Sequence, residues 1–201
     1  MVRYVIKFGI IIGISAPIYF AIRKLWLKKA CDNIRPGNML AVREIAMGCF
    51  VLFHIGLLAL TLEGEYGNPL WMAQRGADRL IEGDGVNLVP FRSIGGFFSN
   101  FDLDAFMVNI VGNIVMFMPW GFGMILLWGN RRKIFTVCLH SLLLPLFIES
   151  AQLFIGRSVD VDDLLLNFIG SCLGACLYAL LAERFPQIKA SVSFKKIPAR
   201  Y

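Results

Sequence analysis

Five apolar runs dominate this chain: Tyr4 to Ile22, Val42 to Leu62, Ala105 to Trp128, Ile134 to Ile155 and Leu164 to Ala182, each 19 to 24 residues long. At about 1.5 Å per residue, a helix of that length crosses a hydrocarbon core of roughly 30 Å. Inside lipid the helix also satisfies its own backbone hydrogen bonds, which an open strand does not. With 57% hydrophobic and 17% charged residues among 201, the composition excludes an ordinary soluble domain. The runs therefore predict an all-α membrane protein, five transmembrane helices in a compact bundle with a large outer loop between the second and third.

Charge supplies the orientation. The net charge of +6 could suggest nucleic acid, but its distribution argues against such a partner. Arg23, Lys24, Lys28, Lys29 and Arg35 follow the first run; Arg131, Arg132 and Lys133 follow the third; Arg184, Lys189, Lys195, Lys196 and Arg200 follow the fifth. Basic residues in alternate connections mark the cytoplasmic side. Residues 63 to 104 instead carry seven acidic side chains against Arg75, Arg79 and Arg92. This places the amino terminus outside and the carboxyl terminus inside. The chain divides into a membrane anchor with a basic interfacial segment (1–40), a transmembrane domain (41–183) and a basic cytoplasmic tail (184–201). The heavier basic cluster follows the first run, as in a retained anchor rather than a cleaved signal peptide. No cysteine falls in an outer loop, so no disulfide framework is expected.

Within this frame, the polar residues of the spans gather at one depth. Asn109 and Asn113, Glu149 and Gln152, and Asp163 and Asn167 come from three different runs, yet all lie within about three turns of the outer face. Arg92, Arg157, Asp160 and Asp162 stand at the mouth. Amides in a bundle commonly lock helices together at about 0.6 kcal/mol per hydrogen bond, which accounts for Asn109, Gln152 and Asn167. It does not account for Glu149, because an apolar side chain would fill the same space without desolvating a charge. A carboxylate inside a span is by default a functional residue. Arg157 is expected to form a salt network with Asp160 or Asp163; a divalent cation there is the weaker option, and no cofactor is called for. The lone His54 and His140 read as packing residues. Pro119 and Pro145 predict kinks, with Gly121 and Gly123 loosening the first. Gly170 and Gly174 predict a close helix contact. Asn87 to Phe91, fixed by Pro90, is expected to be an ordered loop dipping over the polar cluster.

The same residues carry a resemblance. Asn87-Leu88-Val89-Pro90-Phe91, then Asn109-x-x-Gly112-Asn113-x-x-x-Phe117-x-Pro119-x-Gly121, then Glu149-x-x-Gln152, then Arg157-x-x-Asp160-x-x-Asp163-x-x-x-Asn167-x-x-Gly170 resemble the VanZ-like family of bacterial membrane proteins over about residues 50 to 183. The resemblance implies a multi-pass protein of the bacterial cell membrane and cell envelope, in a family named for a member that raises resistance to the lipoglycopeptide teicoplanin. It implies no particular reaction.

Two functions follow as expectations. In the first, an outer-leaflet pocket binds an amphiphile, either a lipid-linked wall precursor or a lipoglycopeptide. Arg92 and Arg157 would pair with phosphate or carboxylate, while Asn109, Asn113, Gln152, Asp160 and Asn167 would meet sugar or peptide groups among the surrounding membrane lipids. In the second, an enzyme acts on a polyprenyl phosphate, with Glu149 as general base and Asp163 or Asp160 holding a metal or orienting Arg157. A transporter would need an internal repeat, which five spans do not show.

Overall fold

A computed structural model describes residues 2–30, 38–99, 101–128, 139 and 141–188, with the side chains of residues 2–5, 26–30 and 38–41 left aside. The protein is an all-α membrane protein. Its helices are α1 (Val2–Ala30), α2 (Asn38–Thr61), α3 (Pro69–Glu82), α4 (Arg92–Ser99), α5 (Leu103–Phe106), α6 (Gly112–Trp128), α7 (Leu143–Phe154) and α8 (Val161–Arg184), with a π turn at Met107–Val111 joining α5 to α6. Among the described residues, four stretches are long and apolar enough to cross a membrane: Ile6–Leu25, Val42–Thr61, Leu103–Trp128 and Val161–Arg184. The described part of the fourth apolar run, α7, has 12 residues, or roughly 18 Å at 1.5 Å per residue. Arg131, Arg132, Lys133 and His140 lie outside the described residues.

Apolar burial and side-chain pairing fix how these helices run. α1 lies antiparallel on α2: Lys7 pairs with Glu63 at one end, and Arg23 holds Glu44 through two hydrogen bonds of 2.6 and 2.8 Å at the other. Arg43 reaches the carbonyl of Leu127 at that second end, so α6 finishes beside the start of α2. Between α6 and α8 the contacts climb in step, Asn113 with Asp163, then Met118 with Gly174, then Phe122 with Tyr178. The two helices are therefore parallel. Their closeness depends on glycine: a Cβ on Gly170 would stand 2.1 Å from the Ile114 carbonyl oxygen, and one on Gly174 would stand 1.9 Å from that of Met118. The expected seam is present. Leu57, Phe117 and Ile148, from α2, α6 and α7, form the buried apolar centre.

Several local expectations change. Gly121 and Gly123 serve close packing as well, against the Ser171 backbone and the Phe50 ring. The irregularity of the third span is the π turn, upstream of Pro119. Pro145 falls in the first turn of α7, where its missing N–H has no intrahelical partner to lose. Of residues 23–35, expected as an interfacial segment, 23–30 continue α1 and 31–35 lie outside the described residues. The large loop between the second and third spans contains α3 and α4. Asn68 caps α3 by accepting from Trp71 N, Pro69 starts it, and Gly83 ends it at φ 73°, a sequence of helix signals well matched to their positions.

Candidate functional site

The Glu63 end of the bundle collects the polar residues. A two-residue strand, Val86–Asn87, pairs in parallel with Val159–Asp160, and this brings the segment from Val86 to Ile94 over the start of α8 as a strap. Asp160 joins the pieces. Its Oδ1 accepts from Asp162 N and Asn87 Nδ2, each at 2.9 Å, and its Oδ2 accepts from the Ser93 hydroxyl. Asp160 thus caps α8 while pinning the strap.

Asp162 is 1% exposed and fully engaged. Its carboxylate accepts from the backbone N–H groups of Phe91 (2.5 Å), Ser93 (2.8 Å) and Ile94 (3.0 Å). A negative charge at the first turn of α4 satisfies donors that the helix cannot use and complements its dipole. It also secures Phe91 at φ 64°, a left-handed conformation that a bulky residue adopts only under constraint. The expected ordered loop over the polar cluster is therefore held from below by two aspartates.

Beneath the strap lies Glu149, 7% exposed. Its Oε2 accepts from the backbone N–H of Asp160 at 3.1 Å; its other oxygen has no protein partner among the described residues. From α8, Asp163 receives Asn113 Nδ2 on Oδ1 at 2.8 Å and leaves its second oxygen unclaimed. One turn further, Asn167 is 3% exposed and its Oδ1 is buried without a hydrogen bond. Glu149, Asn113 and Asp163 thus stand at the junction of α6, α7 and α8, with Asn167 one turn further along α8.

The other expected residues sit around this group. Gln152, 7% exposed, donates to the carbonyl of Thr61 at 3.0 Å and ties α7 to α2. Arg157 is exposed, and its guanidinium donates to the carbonyl of Glu63 at 3.2 Å; no ion pair joins it to Asp160 or Asp163 among the described residues, so the expected salt network is absent there. Asp160 already has three donors, which is why it does not need the arginine. Arg92 is exposed at the start of α4, outside the group. Asn109 is exposed as well and donates to the carbonyl of Ala105. The π turn explains its departure: hydrogen bonding over five residues, Gly112 N to Met107 O, inserts an extra residue and rotates Asn109 away from the face of Asn113. Among the described residues no three His, Cys, Asp or Glu side chains are grouped to hold a metal.

Arg79 has an unforeseen part. It is 8% exposed and donates to the carbonyls of Leu153 (2.9 Å) and Gln152 (3.4 Å), and on its other side to Asp84 and Gly85. It thereby closes the carbonyl end of α7. Its only sequence signal is a basic residue in an otherwise acidic segment. Ser93 was equally silent, an ordinary serine at the head of a helix. A cleft of about 570 Å³ lies between α3 and the turn before α8, lined by Trp71, Arg75, Asp78, Arg79, Asp84 and Ser158 among others; Glu149 does not line it.

The geometry defines a class: an α-helical membrane protein with a strapped group of carboxylates and amides sunk into one end of its bundle. Within that class the chain belongs to the VanZ/LLP1 family, which it matches over residues 49–182. The match takes in every residue of the polar group and begins after α1. No curated protein and no solved structure matched the chain.

Proposed function

We propose that this protein resides in the bacterial cell envelope as a multi-pass membrane protein, and that the group beneath the strap is a pocket in the outer leaflet for the polar part of an amphiphile. The carrying observation is Glu149: a buried carboxylate in an apolar helix, with one oxygen positioned by the Asp160 N–H and the other without a partner among the described residues. Such a group is costly in lipid and persists where a ligand, a proton or an ion completes it.

The outer placement follows from charge. The ends of α1 and α6 and the start of α2 share the Glu44 end, next to the basic connections. The acidic residues 63–104 lie at the Glu63 end, with the pocket. Positive residues on the inner side put the pocket outside. A lipid-linked wall precursor or a lipoglycopeptide has the required form, a polar head on an apolar tail, and a resistance role like that of the family's namesake is one outcome of such binding. The catalytic reading lacks a comparable observation, since the hydroxyl nearest the group in the strap, Ser93, is committed to Asp160.

The test is lipid extraction from the purified protein. Wild type is expected to carry a defined amphiphile that Glu149→Ala loses while remaining folded. Equal lipid content in both would show that Glu149 is a packing residue.

A further inference from the structure

Charge is unevenly spread along the connection between the second and third spans. Its acidic residues fall within 63–84 and 102–104, and from Gly85 to Phe101 the only charged side chain is Arg92. That stretch holds the strap and α4. Ser93, Ile94 and Phe97 are half-buried toward the body of the protein, while Leu88, Val89, Phe91, Phe98 and Phe101 are exposed and Leu103 continues the patch. A contiguous apolar surface of this kind is rarely left in water. The backbone beneath it is served from within: Phe91, Ser93 and Ile94 donate their N–H groups to Asp162, Val89 donates to the Asn87 side chain, and Arg92 and Gly95 donate to the carbonyls of Val89 and Phe91. The segment is thus equipped for surroundings that supply no hydrogen bonds. Phe91 also keeps φ 64° with its ring 68% exposed. Glycine would adopt that conformation without the steric cost, so the constraint serves to turn a large ring away from the protein.

We infer that the strap and α4 form a membrane element, their outer face sunk into the bilayer leaflet at the Glu63 end of the bundle. Continuity with a span names lipid as the occupant. Phe98 and Phe101 lie against Phe106, ring centroids 5.7 and 5.9 Å away, and Phe106 belongs to the first turn of the span Leu103–Trp128. Exposed Met107 and Val108 carry the same surface along that span. The patch therefore runs without a break into a face that lipid covers. Aromatic rings beside a lone arginine suit this layer, the rings lying among the upper acyl chains and the guanidinium reaching phosphate. Asp102 and Asp104, exposed at the head of the same span, hold the element at headgroup depth, since a carboxylate is costly any deeper. A second copy of the chain, or a soluble partner, would have to cover the head of a span as well as the strap.

The experiment uses the full chain in a cysteine-free background, reconstituted into vesicles of phosphatidylcholine and phosphatidylglycerol. Leu88→Cys, Phe98→Cys and Phe101→Cys each receive a nitroxide, and spin-label saturation reads access to oxygen, which concentrates in lipid, and to a water-soluble nickel chelate. Two exposed positions calibrate the scale: Val115→Cys, within the third span, and Glu82→Cys, on α3. The three strap labels are expected to lose nickel access relative to Glu82→Cys while keeping the oxygen access of Val115→Cys. Val89→Cys, also exposed, replaces any of the three that fails to fold. Nickel access equal to that of Glu82→Cys would overturn the inference and put the strap in water. Loss of access to both reagents would overturn it in favour of a protein cover, and spin–spin broadening between labels would then identify that cover as a second copy.

Discussion

Three neighbouring aspartates hold different tasks because their surroundings differ. Asp162 is spent on three backbone donors, Asp160 on a cap, an amide and a hydroxyl, and only Asp163 keeps an oxygen free. Asp162→Ala would leave three part-buried N–H groups without their acceptor, each costing up to about 1–3 kcal/mol. We expect it to lower the unfolding midpoint in detergent by far more than Asp162→Asn, whose amide oxygen still accepts. Glu149→Gln retains an acceptor for Asp160 N and removes a desolvated charge, so its stability should stay within about 1 kcal/mol of wild type or rise. Thermal unfolding followed by intrinsic fluorescence ranks the three variants; a Glu149→Gln variant less stable than Asp162→Ala would contradict these assignments. Much of this was legible in the residues: a glutamate inside an apolar run, and Asp163 and Asn167 on one helical face. The division of labour among the aspartates was not, because it depends on which backbone donors the strap delivers.

Packing between elements is governed by glycine at one seam and by a buried arginine at one helix end. Gly174→Leu would drive carbons into the Met118 carbonyl, separating α6 from α8 and pulling Asn113 from Asp163. Loss of folded protein or a large drop in midpoint is expected, against a neutral or mildly stabilising Gly95→Ala, where a Cβ meets open space in α4. Arg79→Met preserves bulk but releases the carbonyls of Gln152 and Leu153, so amide hydrogen exchange should rise in the last turn of α7 and in the Asp84–Gly85 turn; unchanged protection at both would refute the capping role. The Gly170/Gly174 seam could be read in advance since small residues four apart have a known use. The π turn could not: an inserted residue leaves no mark in an apolar run, and Asn109 was expected on the face of Asn113 but is exposed. Helices α3 and α4 were hidden for a related reason, as short polar or glycine-bearing helices in a long connection resemble a loop.

For the whole molecule, the account joins two independent asymmetries. Charge puts basic connections at the Glu44 end, and folding puts the polar group at the Glu63 end. In a cysteine-free background, Glu65→Cys should react with a membrane-impermeant maleimide on intact cells, and Arg184→Cys only after permeabilisation; the reverse would place the pocket in the cytosol. Four of the five expected spans were legible from apolar runs, the described part of the fourth run being a 12-residue helix, while the strap needed the parallel pairing of Val86–Asn87 with Val159–Asp160, two short segments whose residues carry no pairing signal. The most direct test of the central claim compares native mass spectra of wild type and a Glu149→Gln, Asp163→Asn double variant taken from the same cells in the same detergent. A discrete bound amphiphile on wild type, absent from an equally folded double variant, is the predicted result. The same adduct on both proteins, or none on wild type, would contradict it.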